Sequence, residues 1–542
     1  MAYVLADNII SPLGNSSEEN YLSVKNGKVA VHACQSSKWE MADDFEQLAL
    51  SSASKALEKS GIDVRQSRIV FILSSTKGDV ENMTPLVDSA QRIASALGID
   101  TLPFVVCNAC ISGLSALILA SRLLELDKYD YAVVCGCDVP KRFIVSGFQS
   151  LKALSSEPCR PFDMERFGLN LGQAAATMIL GKEPRVWQLR SGYVKNDAFH
   201  ISAPSKTAVG LVNALKETLQ EVNVDKLALV NAHGTATLFN DQMESIAIER
   251  AGLSAVPVNA LKGYYGHTLG AAGILETILT MKAIDDHTIL GTHGFEELGV
   301  SGKIQVSSES HDTDKHAFIK MLSGFGGCNA TLYATNSSDD AYKHTSTSCK
   351  GFQKKHLVKI TPQGAFVNGS KLALAANGEG ILTSIYKQYI GNYPKYYKMD
   401  HLCRLGFVAS ELLLEAENPH HLESMEQQGR LDRAVVLFNH SSSVDADKKF
   451  RATIGDGEES FPSPSIFVYT LPNIVTGEIA IRNHYQGETS FYILPEYQEM
   501  QMEEVLESSF MDAQTESILT GWVDYEDGEH FEAELYIAER IK

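Results

Sequence analysis

Short unbroken apolar runs alternate along this chain with longer stretches in which apolar positions recur every three or four residues. "RIVFILSS" (68–75), "LPFVVCN" (102–108), "DYAVVCGCDV" (130–139) and "AAATMILGKE" (174–183) predict strands buried on both faces. Between them, "DDFEQLALSSASKALEKSG" and "SGLSALILASRLLELDKYD" carry helical spacing. The first of these stops at Gly61, the residue type that closes helices with a left-handed turn. Buried strands separated by helices predict an α/β fold with helix-covered sheets.

The pattern breaks at residues 336–350, "NSSDDAYKHTSTSCK", which are small and polar and read as a linker. Beyond it, residues 351–542 echo the start of the chain. "KMDHLCRLGFVASELLLEAEN" (398–418) resembles 40–61, and "DRAVVLFNHSSSVDADKKF" (432–450) resembles 67–83. "IFVYTLPNIVTGEIAI" (466–481) then falls opposite "FVVCNACISGLSALIL", a register that sets Ile474 against Cys110.

A length of 542 residues predicts two to four compact units, and 44% apolar with 21% charged residues is the balance of a folded protein. The formal charge of −20 argues against nucleic-acid binding, which needs a basic footprint. No run approaches the ~20 apolar residues of a membrane span. The opening "MAYVLADNIISPLG" lacks a basic n-region, and nine cysteines is a sparse, odd count; both predict a reduced, cytoplasmic setting.

Cys107 and Cys110 form a C-x-x-C pair, and Cys135 and Cys137 follow as C-x-C. A zinc site would want its ligands on loops, whereas Cys107, Cys135 and Cys137 lie in or beside apolar strands, where small buried cysteines are ordinary core residues. A redox pair would want a small thioredoxin-like unit, which the long α/β alternation does not provide. The third reading is a nucleophile. Cys110 precedes the helix starting near Ser112, whose free N–H groups favour a thiolate and can hold an oxyanion. "NAHGTATLFNDQMESIAIE" adds His233, "VNALKGYYGHTLGAAGILE" adds Lys262 and His267, and "MLSGFGGCNATLYA" adds a glycine turn around Phe325. Cysteine with histidine is an activated nucleophile, and a second histidine can donate to a developing enolate oxygen.

With these residues the chain resembles the Cys-His-His branch of the β-ketoacyl-acyl carrier protein synthases, in the thiolase superfamily. The likeness covers residues 1 to about 335 and is carried by "IISPLG", "NACISG", "CRPFDMERFGLNLGQAAA", "NDAFHISAP", "NAHGTAT", "GHTLGAAG" and "GFGGCNA". It implies a layered αβαβα fold of two pseudo-repeated halves, residues 1–185 with the nucleophile and 186–335 with the histidines. After the linker, 351–542 would be a ketosynthase-like half-domain resembling the first half, without a nucleophile because no cysteine follows Cys403.

The resemblance makes Cys110 the acylated nucleophile, His233 and His267 the pair that binds the malonyl thioester oxygen, and Lys262 the active-site lysine with Glu244 as its charge partner. Backbone N–H groups of Cys110 and Phe325 would form the oxyanion hole, Thr235 and Thr237 would contact the pantetheine arm, and Phe148 and Phe325 would line the pocket. Gln173 stands where the family has glutamate, and Cys110 comes some fifty residues earlier than usual in the branch. The implied function is decarboxylative condensation of an acyl-enzyme with malonyl-acyl carrier protein, in fatty acid, polyketide or aryl polyene synthesis. A chain-length partner without catalysis and a non-elongating acyltransferase are the alternatives on this fold. No cofactor and no metal are implied, since phosphopantetheine arrives on the carrier protein. The implied partners are that carrier protein, malonyl and acyl thioesters, and a second copy or another ketosynthase-like chain paired through the strand beside the nucleophile. Lys141, Arg142, Lys152 and Arg160 are candidates for a basic docking area.

Overall fold

The predicted strands all form in the computed structural model, which describes residues 2–30, 44–337, 351–378, 380–422, 429–455 and 462–541. The first unit contains β1 (Ala2–Ile10), α1 (Phe45–Ser60), β2 (Ile69–Ser74), β3 (Phe104–Val106), α2 (Ser112–Glu125), β4 (Tyr131–Asp138), α3 (Arg142–Ser150) and β5 (Ala174–Gly181). Helix α1 begins where the Asp44 side chain accepts from the N–H groups of Glu46 and Gln47, and it stops at Gly61 with φ +68°. Its strands lie in the order β1-β5-β4-β2-β3, parallel from β4 to β3 and antiparallel on the other side.

That order occurs three times. The second unit holds β6 (Gln188–Asn196), β7 (Leu227–Asn231), α4 (Leu238–Arg250), β8 (Pro257–Asn259), α5 (Ala272–Asp285), β9 (Ala317–Gly324) and β10 (Cys328–Thr335). Its strands run β6-β10-β9-β7-β8. The third holds β11 (Phe352–Thr361), α6 (His401–Glu417), β12 (Arg433–Asn439), α7 (Ile474–Asn483), β13 (Thr489–Ile493), α8 (Glu499–Ser509), β14 (Ser517–Tyr525) and β15 (Phe531–Arg540). Its strands run β11-β15-β14-β12-β13. Residues 338–350 of the expected linker lie outside the described residues.

Helices α2 and α5 pack against strands of both the first and the second sheet, so nearly all of their residues are buried and neither shows a polar face. They cross at two glycines. A Cβ on Gly113 would fall 2.7 Å from the Gly270 carbonyl oxygen, and one on Gly273 would fall 2.3 Å from the Leu114 nitrogen. Bare backbone at the crossing is what lets the two helix N-termini meet, and Cys110 and His267 stand just ahead of them.

The third unit docks on the first within the same chain. Strand β13 pairs antiparallel with β3 through Tyr492 opposite Val106 and Ile493 opposite Val105. Three buried ion pairs cross this interface: Lys77–Asp447 at 2.6 Å, Arg122–Glu488 at 2.9 Å and Lys195–Asp512 at 2.6 Å. In each pair the cation belongs to the first two units and the carboxylate to the third. Such pairs add little net stability against an apolar core, but they select one docking register, because any other leaves buried charges alone.

The structure corrects the repeat register. Strand order aligns β13 with β3, so α7 occupies a place between the second and third strands of its unit, and Ile474 is not the counterpart of Cys110. Ser112 and Glu499 each open a helix six residues after a third strand ends, at Val106 and Ile493, which sets Tyr497 opposite Cys110. Tyr497 packs on Trp522 with ring centroids 5.8 Å apart and offers no nucleophile.

Candidate active site

The turn from β3 into α2 holds its cysteine through local hydrogen bonds and one strained residue. Ala109 takes a left-handed conformation, φ +48°, at a cost of about 1 kcal/mol. Ser112 Oγ accepts from the Asn108 N–H at 2.8 Å and donates to the Ala109 carbonyl at 2.6 Å. The third unit braces the same turn, since the Phe491 N–H donates to Asn108 Oδ1 at 2.7 Å. Cys107, by contrast, is buried and donates to the Thr76 carbonyl. Cys135 and Cys137 likewise donate to the carbonyls of Ala49 and Phe45 on α1. These three thiols are core residues.

His233 and His267 stand edge to face with ring centroids 5.0 Å apart. A ring nitrogen from each lies, with Cys110 Sγ, in a group whose members are within 4.8 Å of one another. The His267 backbone is clamped by the Asn170 carbonyl at 2.7 Å and the Gly172 N–H at 2.9 Å. Its Nδ1 accepts from the Leu269 N–H at 3.2 Å, which leaves the proton of the neutral ring on Nε2. That Nε2 is buried without a partner among the described residues, as is His233 Nδ1. Burial holds both imidazoles far below the ordinary histidine range, and the nearby ammonium of Lys262 pushes the same way. A donor Nε2–H suits a substrate oxygen. It does not suit a metal ion, which would need that nitrogen's lone pair and would set the Nδ1 proton against the Leu269 N–H.

Lys262 is fully buried, but its partner is not Glu244. It pairs with Glu276 of α5 at 2.6 Å, and Lys320 of β9 takes the other oxygen of the same carboxylate at 2.6 Å. Glu244 spends its oxygens on the histidine turn, accepting from the N–H groups of His233 at 2.7 Å and Gly234 at 2.8 Å. Burial pushes the Glu244 carboxyl up to about 7 and the Lys320 ammonium down to about 8. Two ammonium groups around one carboxylate leave a positive field beside the imidazoles, which keeps them neutral.

Lys320 escaped the sequence reading, although a lysine inside the otherwise buried strand "AFIKMLSG" was a legible signal. Asp138 escaped it as well. It sits at the end of β4 and accepts from Ser75 Oγ at 2.7 Å and from the N–H groups of Thr76 at 3.0 Å and Gly270 at 2.7 Å, tying the approach to α5 to the first sheet.

Phe148 and Phe325 converge on the same place, while Thr235 and Thr237 follow His233 in its turn. Thr235 and Thr237 share a hydroxyl hydrogen bond of 2.8 Å. A Cβ on Gly324 would lie 3.3 Å from the Cys110 nitrogen, so the end of β9 and the Phe325 turn abut Cys110. Phe148 stacks on Phe325 at 6.4 Å, and Phe467 of the third unit meets Phe148 at 5.5 Å and fills the space over Gly147. Nothing in the spacing of the sequence announced Phe467 as a pocket neighbour. The basic docking area fares less well: Arg160 is bound by Asp163, Glu165 and Glu296 at 3.0–3.3 Å, and Arg142 donates to the Gly455 carbonyl.

Burial pushes the Cys110 thiol up to about 12, against the pull of Lys262. At that value the resting group is a thiol, and its thiolate fraction rises tenfold per pH unit below it. Alkylation of Cys110 by iodoacetamide, followed by intact mass, should accelerate steadily from about pH 6 to about pH 9.5. A plateau near neutrality would contradict it.

Models of the β-ketoacyl synthase N-terminal and C-terminal domains match residues 24–185 and 188–296. The 3-oxoacyl-[acyl-carrier-protein] synthase 2 of Coxiella burnetii is 27% identical over 336 residues, 54% of this chain and 81% of that protein. The corresponding protein of Rhizobium meliloti is 32% identical over 249 residues, 42% of this chain and 59% of its own length. Among solved structures, the PfaC keto synthase–chain length factor covers 99% of this chain and 78% of its own at TM-score 0.76 and 14% identity. The Xenorhabdus doucetiae ketosynthase ApeO, solved with its chain length factor ApeC, covers 62% of this chain and 97% of its own at TM-score 0.56 and 24% identity.

Proposed function

This chain belongs to the β-ketoacyl synthase family, and from that premise we propose that it is a β-ketoacyl-acyl carrier protein synthase whose single site is completed by its own C-terminal segment. The observation that carries the reading is Cys110 Sγ facing two buried, neutral imidazoles at a helix N-terminus.

In the first half-reaction Cys110 attacks the acyl thioester of a carrier protein. The Cys110 S–C bond forms, the pantetheine S–C bond breaks, and the thiol proton ends on the departing pantetheine sulfur. The N–H groups of Cys110 and Phe325 hold the transient oxyanion, with Thr235 and Thr237 along the pantetheine arm. In the second, malonyl-carrier protein loses CO2 while the His267 Nε2–H and the His233 ring steady the enolate oxygen. The enolate carbon then attacks the Cys110 thioester: the new C–C bond forms, the acyl–Cys110 S–C bond breaks, the sulfur leaves as thiolate and takes up a proton from solvent, and the chain is two carbons longer on the carrier protein. Neutral imidazoles serve this step because an imidazolium would protonate the enolate carbon. The chemistry calls for no cofactor beyond the carrier's phosphopantetheine.

The third unit has Tyr497 where a nucleophile would stand and covers the β3 edge, so we assign it as a non-catalytic, chain-length-factor-like partner held in cis. The ketosynthase-like partner is then supplied by the chain itself, and the protein is a monomer of 59.3 kDa. No helix among the described residues is long and apolar enough to cross a membrane, and the described cysteines are free thiols, in keeping with a cytoplasmic setting.

The reading is tested by intact mass with acyl-carrier protein, then malonyl-carrier protein with CO2 monitored, and by light scattering on the purified chain. Acyl addition to Cys110, CO2 release and an extended product at monomer mass are expected. Acylation without extension would instead establish an acyltransferase.

A further inference from the structure

We propose that Asn473, contributed by the C-terminal segment, is a positioning residue for the oxyanion hole, so that this segment takes part in each acyl transfer. The proposal rests on the reading of Cys110 and Phe325 as the oxyanion donors. Phe325 lies in the turn Gly324–Gly327 between β9 and β10, where Gly326 and Gly327 take φ of +91° and +73°. A turn built of glycines does not hold its own N–H groups in place. The adjacent Cys328 thiol donates to the Phe325 carbonyl at 3.2 Å, and the shorter bonds to the turn's carbonyls come from amide side chains outside it. Asn473 Nδ2 donates to the Phe325 carbonyl at 2.8 Å. Asn196 Nδ2 donates to the Gly326 carbonyl at 2.8 Å and meets Thr489 Oγ1 of β13 at 2.9 Å.

The fit on this side is close. A Cβ on Gly326 would fall 2.7 Å from Asn473 Nδ2, and one on Gly477, a turn into α7, would fall 2.6 Å from the Gly326 oxygen. The N–H, ring and C=O of Phe325 share one Cα. With the C=O anchored to Asn473, the freedom of the N–H to swing away from Cys110 is reduced, because fewer φ/ψ combinations keep that hydrogen bond.

Asn473 is also an expensive way to fill space. It is 2% exposed, and its Oδ1 has no partner among the described residues. An apolar side chain would fill the position without an unsatisfied oxygen. Apart from a long contact to Cys328 Sγ at 3.8 Å, the amide's donation goes to the loop.

The test uses the full chain. In Asn473→Ala, acylation of Cys110 by an acyl-pantetheine thioester should slow about ten- to a hundredfold, less than outright loss of an oxyanion donor. Alkylation by iodoacetamide, which develops no oxyanion, should keep its wild-type rate. Asn473→Asp supplies the signature. Ionised, its carboxylate faces the Phe325 oxygen without a proton to give; protonated, it donates as the amide did. Burial raises the pKa of such a carboxyl, so acylation by this variant relative to wild type should recover as pH falls. Equal acylation rates in wild type and Asn473→Ala would overturn the proposal. So would a parallel fall in acylation and alkylation, which would make Asn473 a prop of the whole site. A wild-type enzyme that alkylates but never acylates would sink the functional reading itself, and the proposal with it.

Discussion

Cys110→Ala is expected to abolish the acyl-enzyme and lower chain extension by about 10⁴-fold or more, while CO2 release from malonyl-carrier protein stays measurable. The size of the first effect follows from the site. Of the seven described thiols, Cys110 is the one set at the helix end beside both histidines, and the others are fully buried in the core. No neighbour can take over the bond. The second effect follows from how the histidines are held. His267 is fixed by Asn170, Gly172 and Leu269, and His233 by Glu244, with no hydrogen bond to the thiol in either set. The pair should therefore still receive a malonyl thioester. His267→Ala should show the converse, acylating Cys110 but losing CO2 release. Intact mass and a coupled CO2 assay on the two variants separate the half-reactions. Loss of both activities in both variants would mean that the groups do not divide the work in this way.

Glu276→Ala should destabilise the protein by about 3–5 kcal/mol, because it strands two fully buried ammonium groups at once. Lys262 and Lys320 would then repel each other where both are buried from solvent, and Lys320, already held down to about 8, would shed its proton. Glu244→Gln should cost less, about 1–3 kcal/mol, because no charge is stranded: the amide oxygen keeps one N–H of the histidine turn, and only the other N–H, now facing the amide NH2, loses its acceptor. Urea titration of the two variants against wild type checks the ranking. The opposite order would return Lys262 to Glu244 as its partner.

Much of the site was legible because its residues sit in short, local signals. Cys110 precedes a helix, His233 and His267 lie in small-residue turns, and Phe325 lies among glycines, each set by neighbours a few positions away. What failed to show were relations between distant residues. Glu244 and Glu276 are both acids on helices near Lys262 in sequence, and spacing alone does not say which helix faces the lysine. The repeat register slipped for a related reason. Strand β13, "TSFYI", is five residues long with little periodicity, whereas "IFVYTLPNIVTGEIAI" has the apolar density of the nucleophile segment and drew the alignment to itself.

By itself, then, the sequence determined the α/β alternation, the helix stop at Gly61 and the turn that sets Cys110 ahead of a helix, since these depend on backbone preferences and on the periodicity of side chains within one element. Only the tertiary structure decided that Glu276 neutralises both lysines, that Asn473 reaches Phe325 from 148 residues away, and that β3 is closed by β13 of the same chain. The reason is physical. Buried charges and strand edges must be satisfied by whatever packing brings within reach, and packing is settled by the fit of whole surfaces, which no single stretch of residues carries.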